Sequence, residues 1–145
     1  MSAAYYAVFH LLVAEGSRLL SPAQPAGIRL AVARAFDHGQ MRAVCVGMVP
    51  GRARQPGNKG IPRSTHGLLT FPLDPALVSV FDAFVELQEI RHQADYDLAK
   101  EWTRLEAEDY VRLARAAFAD WARVRTTPNA AVFLTALLLR RHWAR

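Results

Sequence analysis

The chain has 145 residues, of which 52% are hydrophobic and 21% charged, with a formal net charge of +5. That is enough for one domain with its own core, and the composition excludes a disordered or fibrous protein. The single cysteine, Cys45, excludes an intrachain disulfide, fits a cytoplasmic setting and reads as a small buried hydrophobe, a nucleophile being the rarer role.

A first helix is expected over residues 3–20, apolar nearly all round as a central bundle helix would be. Its apolar run, residues 3–14, is broken only by His10, and a second run, residues 130–139, only by Thr135. Both fall short of the roughly 20 residues that span a bilayer, and the first has no basic stretch before it, so neither a membrane span nor a signal peptide is expected. Only Ser2 is available to cap the first helix, which predicts a longer natural chain or a missing preceding helix.

A second helix is expected over residues 26–47, with Ile28, Val32, Phe36, Met41, Val44 and Cys45 on its inner side and a break or kink at His38-Gly39. Residues 49–73 contain four prolines and four glycines and read as a long loop, of a length that usually signals function or mobility. The whole charge excess lies in this part of the chain. Between His38 and Leu73 stand Arg42, Arg52, Arg54, Lys59 and Arg63, with no acidic residue. Such a segment attracts phosphate or acidic partners, or simply stays solvated.

Asp74-Pro75 supplies an N-cap and a first-turn proline for a central helix. Thr103 and Glu106 form a capping box for the next helix, which runs to about residue 124. Thr127-Pro128-Asn129 breaks the chain again, and Asn129 is expected to cap a final helix ending in Arg140-Arg141. No strand pattern and no internal repeat is present. The fold class is therefore all-α, an antiparallel up-and-down bundle of four to five helices in one domain.

On a helical wheel the central helix gathers Leu77, Val80, Phe81, Phe84 and Leu87 on one side and Ser79, Asp82, Glu86, Glu89 and Gln93 on the other. Gln88, Arg91 and Asp95 then fall on the apolar side. A lone arginine in a dry core is too costly, so Arg91 must pair with Asp95 one turn on or face a cleft or interface. The structural alternative is a partly buried ion pair that fixes helix packing. In the first helix Tyr6 and His10 share a face, as do Tyr5 and Phe9, and their polar atoms need inward partners of the kind the Arg91–Asp95 end offers. His10 taken singly reads as a satisfied core histidine. The scattered His10, His38, His66 and His92 give no metal-ligand spacing, and no phosphate loop or nucleophile elbow is present. No metal and no cofactor is expected.

Two segments carry a family resemblance: Ser2-Ala3-Ala4-Tyr5-Tyr6-Ala7-x-Phe9-His10 and Arg91-x-x-Ala94-Asp95-Tyr96. Together they resemble prokaryotic HEPN-domain proteins, over roughly the whole chain except the basic loop. The resemblance implies a helical bundle, usually a homodimer, from toxin–antitoxin, abortive-infection or other defence systems. It also implies a partner such as an antitoxin or a nucleotidyltransferase. Many members are metal-independent endoribonucleases whose signature is an arginine followed after four to six residues by a histidine. This chain departs from that signature: Arg34 to His38 is one residue short, and after Arg91 the nearest-spaced position holds Tyr96. Tyrosine, with a pKa of about 10, is a poor base at neutral pH, which leaves His92, Asp95 or His10 for that role and Arg91 as the cation.

The candidate catalytic residues are thus Arg91, Asp95 and Tyr96, and the candidate binding residues Tyr6, His10 and His92. The expected function is a HEPN-like effector that binds RNA in a toxin–antitoxin or defence system, with metal-independent endoribonuclease cleavage left open by the missing histidine. Its alternatives are a non-catalytic module for a nucleotide or protein partner and a structural dimerising bundle.

Overall fold

A computed structural model of the protein describes residues 2–52 and 60–143. Those residues are all-helical, with no strand among them: α1 (Ser2–Leu20), α2 (Ala26–Ala33), α3 (His38–Gly47), α4 (Arg63–His66), α5 (Pro75–Tyr96), α6 (Arg104–Val124) and α7 (Pro128–Trp143). The expected helical bundle is present. Its helix count is raised by the split of the second helix and by one short turn, α4, inside the long loop.

The helix starts follow local chemistry. Asp74 accepts a hydrogen bond from Ala76 N (2.8 Å), with Pro75 behind it as the first residue of α5. At α6 the capping box closes both ways, Glu106 N donating to Thr103 Oγ1 (3.2 Å) and Thr103 N to Glu106 Oε2 (2.8 Å). The start of α7 differs from expectation. Thr127 Oγ1 accepts from Ala130 N (3.2 Å), so Thr127 is the cap. Asn129 sits inside the first turn and clasps the loop instead, accepting from Thr70 N (2.9 Å) and donating to Thr70 O (2.8 Å).

The break between α2 and α3 lies at residues 34–37, ahead of His38-Gly39. Asp37 restarts the helix by accepting from Gln40 N (2.9 Å), which makes His38 the first residue of α3. Phe36, Met41, Val44 and Cys45 are buried as expected, but α2 lies on the surface and Ile28 faces outward. Gly16 explains how the linker closes on α1: a Cβ there would stand 2.6 Å from Phe36 Cζ. Within the long loop, Arg52 is ion-paired with Asp82 and Arg63 opens α4, while Arg54 and Lys59 lie outside the described residues.

The core forms where α5 packs against α1, α3 and α6, and where α1 and α3 meet α7. Tyr5, Val8, Leu12, Leu77, Phe81 and Phe84 are fully enclosed, each contributing about 1.5–3 kcal/mol from burial. Phe81 and Phe133 meet at 4.6 Å between ring centroids, with Trp121 edge-on to Phe133. Glu15 is buried on α1 between two arginines and takes a two-pronged bond from Arg125 (2.9 and 3.0 Å). No helix among the described residues is long and apolar enough to cross a membrane.

Candidate functional site

The site grows from the start of α1, the start of α3 and the last two turns of α5. On α1, i, i+4 spacing brings Tyr5 and Phe9 to the same side, and Tyr5 is fully buried. His38 is delivered to them by the Asp37 cap and lies flat on Phe9, with ring centroids 3.9 Å apart and planes 10° apart. The Tyr5 hydroxyl stands 2.5 Å from His38 Nδ1. From α5, Gln88 Nε2 donates to the His38 carbonyl (2.9 Å) and locks the start of α3 against the central helix.

One turn further along α5, Arg91 closes the cluster. Its guanidinium carbon is 5.6 Å from the Tyr5 ring centre and 5.3 Å from that of Tyr6, inside the range in which a cation is attracted to an aromatic face. Asp95 pairs with it as the wheel predicts, Nε to Oδ2 at 3.0 Å, although the Nε–H is not aligned for a hydrogen bond. Ser2, the expected helix cap, donates to Asp95 Oδ1 (3.2 Å) and so ties the first residue of α1 to the end of α5. The Arg91 charge is thereby shared between one carboxylate and two rings rather than left bare in the core.

Electrostatics sets the protonation states. Burial pushes the Tyr5 phenol well above the ordinary tyrosine range, with Arg91 opposing only in part, so the hydroxyl keeps its proton. Burial holds His38 below its ordinary value, and the Arg91 guanidinium and His10 push it the same way against Asp37. A protonated phenol therefore stands beside a neutral imidazole, the two sharing one hydrogen bond at Nδ1.

Five of the residues singled out in the sequence or their neighbours thus converge: Tyr5, Tyr6, His10, Arg91 and Asp95. Tyr6 and His10 stack at 6.2 Å on the exposed rim, and Tyr6 meets His38 edge-on. Tyr96 and His92 are not brought to Arg91. They pack against each other at 4.6 Å on another flank of α5, with Tyr96 73% exposed. The helical repeat is the reason, since Tyr96 is turned about 140° from Arg91. His38 is the residue that sequence reasoning missed. Its only sequence signal is the pattern Asp37-x-x-Gln40, a helix start that exposes the next residue's side chain to a neighbour.

Comparison of the chain with family models, with curated proteins and with solved structures finds no match. The site must be read from its own chemistry. It can stack a planar group on Tyr6 and His10 and offer an anion the outer edge of Arg91. As an acid–base centre it is constrained, because Tyr5 engages Nδ1 of His38, leaving only Nε2, and Asp95 is engaged by Arg91 and Ser2. Among the described residues no three histidine, cysteine, aspartate or glutamate side chains group as metal ligands would.

Proposed function

We propose that the protein is a HEPN-like module that binds RNA along the edge formed by Tyr6, His10 and Arg91, working as a homodimer in a toxin–antitoxin or other defence system. The observation that carries the reading is the side chain of Arg91, 28% exposed and held against Tyr6, itself stacked on His10 at the rim. A phosphate with its adjacent base matches that pairing of a cation with a flat aromatic surface. The dimer comes from the family resemblance. It is supported by an apolar groove of about 430 Å³ between α1 and α6, where Ala3, Ala7, Val111 and Phe118 line a surface that adjoins the same end of α1.

Metal-independent cleavage is the second reading, and one observation favours it: a neutral imidazole, His38, lies in the same aromatic frame as the Arg91 cation. In this arrangement Arg91 stabilises charge on the phosphorane, the neutral imidazole of His38 takes the proton of the ribose 2′-hydroxyl, and solvent water at the rim protonates the leaving oxygen. The non-catalytic module and the purely structural bundle are the outcomes left if neither binding nor cleavage is found.

The test incubates the purified protein with single-stranded RNA in the presence of a chelator, beside Arg91→Ala, Asp95→Ala and Tyr6→Ala variants of intact fold. RNA binding weakened by Tyr6→Ala, by the loss of about 1–3 kcal/mol that one base–aromatic stack contributes, supports the binding reading. Cleavage abolished by Arg91→Ala establishes the nuclease. Unchanged RNA affinity in all three variants, with no cleavage, leaves the structural role alone.

A further inference from the structure

The α1–α2 hairpin carries a second surface that meets the proposed RNA edge only at His10. α2 has no buried residue, although its only polar side chain is Arg29. Its outward side is Gly27, Ile28, Leu30 and Ala31, and a Cβ built on Gly27 meets nothing within 4 Å. Ile28 and Leu30 are 46% and 54% exposed, and Leu19 and Leu20 at the end of α1 are also open. Bulky apolar groups gathered this way on a small domain mark a contact surface.

Between this hairpin's two helices runs a groove of about 550 Å³, with Val13, Ala14, Leu30 and Ala33 as its apolar lining. His10 and Arg18 stand at its two ends on α1, and Arg29 stands opposite on α2. Eight residues of helix separate His10 from Arg18, so the groove follows about 12 Å of α1. No acidic residue occurs between Gly16 and Phe36, whereas Arg18, Arg29 and Arg34 all do. Glu15 and Asp37 flank that stretch: Glu15 is buried and held by Arg125 and Arg18, and Asp37 caps α3.

Shape and charge select the occupant. A second copy meeting the same surface would bring arginines against arginines, which opposes self-association here. A bilayer matches a raised amphipathic face better than a groove between two helices. An apolar channel of this length with a cationic rim suits the helix-in-groove mode of recognition. We infer that the α1–α2 groove docks an amphipathic helix of a partner protein, one with apolar side chains facing inward and carboxylates along its edges.

The experiment titrates isotope-labelled full chain with two synthetic helical peptides of about four turns. Both carry the same leucine stripe, one with glutamates and the other with lysines on the remaining face. The glutamate peptide is expected to shift the amides of Val13, Ala14, Arg29, Leu30 and Ala33, and to lose about tenfold in affinity between roughly 0.05 and 0.3 M salt. Arg29→Glu and Leu30→Ser, both surface changes checked by circular dichroism, are each expected to lower its affinity about tenfold or more. Equal binding of the lysine peptide, shifts confined elsewhere, or no shift at millimolar peptide overturns the proposal. So does sedimentation with phosphatidylglycerol vesicles that Leu30→Ser abolishes, or self-association that the same variant abolishes.

Discussion

A buried phenol held against a neutral imidazole has a measurable consequence at the residue scale. His38 should titrate below the ordinary histidine value of about 6.5 in ring-carbon NMR spectra. Its folded-state pKa is lowered, so the stability it contributes is complete above about pH 6.5 and is lost as pH falls through the folded value. Arg91→Ala should raise the pKa of His38 by removing a like charge. A native value at or above 6.5 would contradict the account. Cys45 gives a second test: it is enclosed, burial pushes its thiol up, and it should resist alkylation until the protein unfolds. That burial was legible from the sequence. His38 was not, because Tyr5 and Phe9 lie about thirty residues before it and only tertiary packing brings them together.

At the scale of elements, the starts of α5 and α6 were legible because their signals are local: Asp74-Pro75 and Thr103-x-x-Glu106 cap without help from the rest of the fold. The start of α7 was misread for the opposite reason. Thr127 and Asn129 are both good caps, and the choice between them was decided by Thr70, which recruits Asn129 across the loop. Thr127→Ala should therefore cost about 1 kcal/mol in denaturant unfolding, the ordinary loss of a cap. Asn129→Ala should instead free the loop around Thr70, read as faster amide exchange there, with α7 intact. The Glu15 ion pairs make a pH prediction on α1. Burial raises the Glu15 carboxyl, but Arg125, the Trp121 indole and Arg18 together outweigh it and hold the carboxyl below its ordinary value. Glu15→Gln should cost about 1–2 kcal/mol near neutral pH, a figure discounted because both arginines are partly exposed. With a lowered native pKa, that difference is present above about pH 4.3 and should shrink as pH falls through the native value.

At the scale of the whole molecule, the all-helical architecture followed from periodicity, and the pairing of Arg91 with Asp95 followed from the wheel, although Asp95 itself lies at the exposed edge rather than on the packed side. Which side chains complete the cluster did not, because Tyr96 and His92 share a segment with Arg91 without sharing its face. The net charge of +5 favours polyanions in general, so weak binding of any nucleic acid is no evidence for this site. The decisive observation is where RNA lies. Titrating the labelled protein with a short single-stranded RNA at physiological salt should shift the resonances of Tyr6, His10 and Arg91 first, with Tyr6→Ala weakening the complex about tenfold. Shifts spread over surface arginines with Tyr6, His10 and Arg91 unmoved would contradict the account.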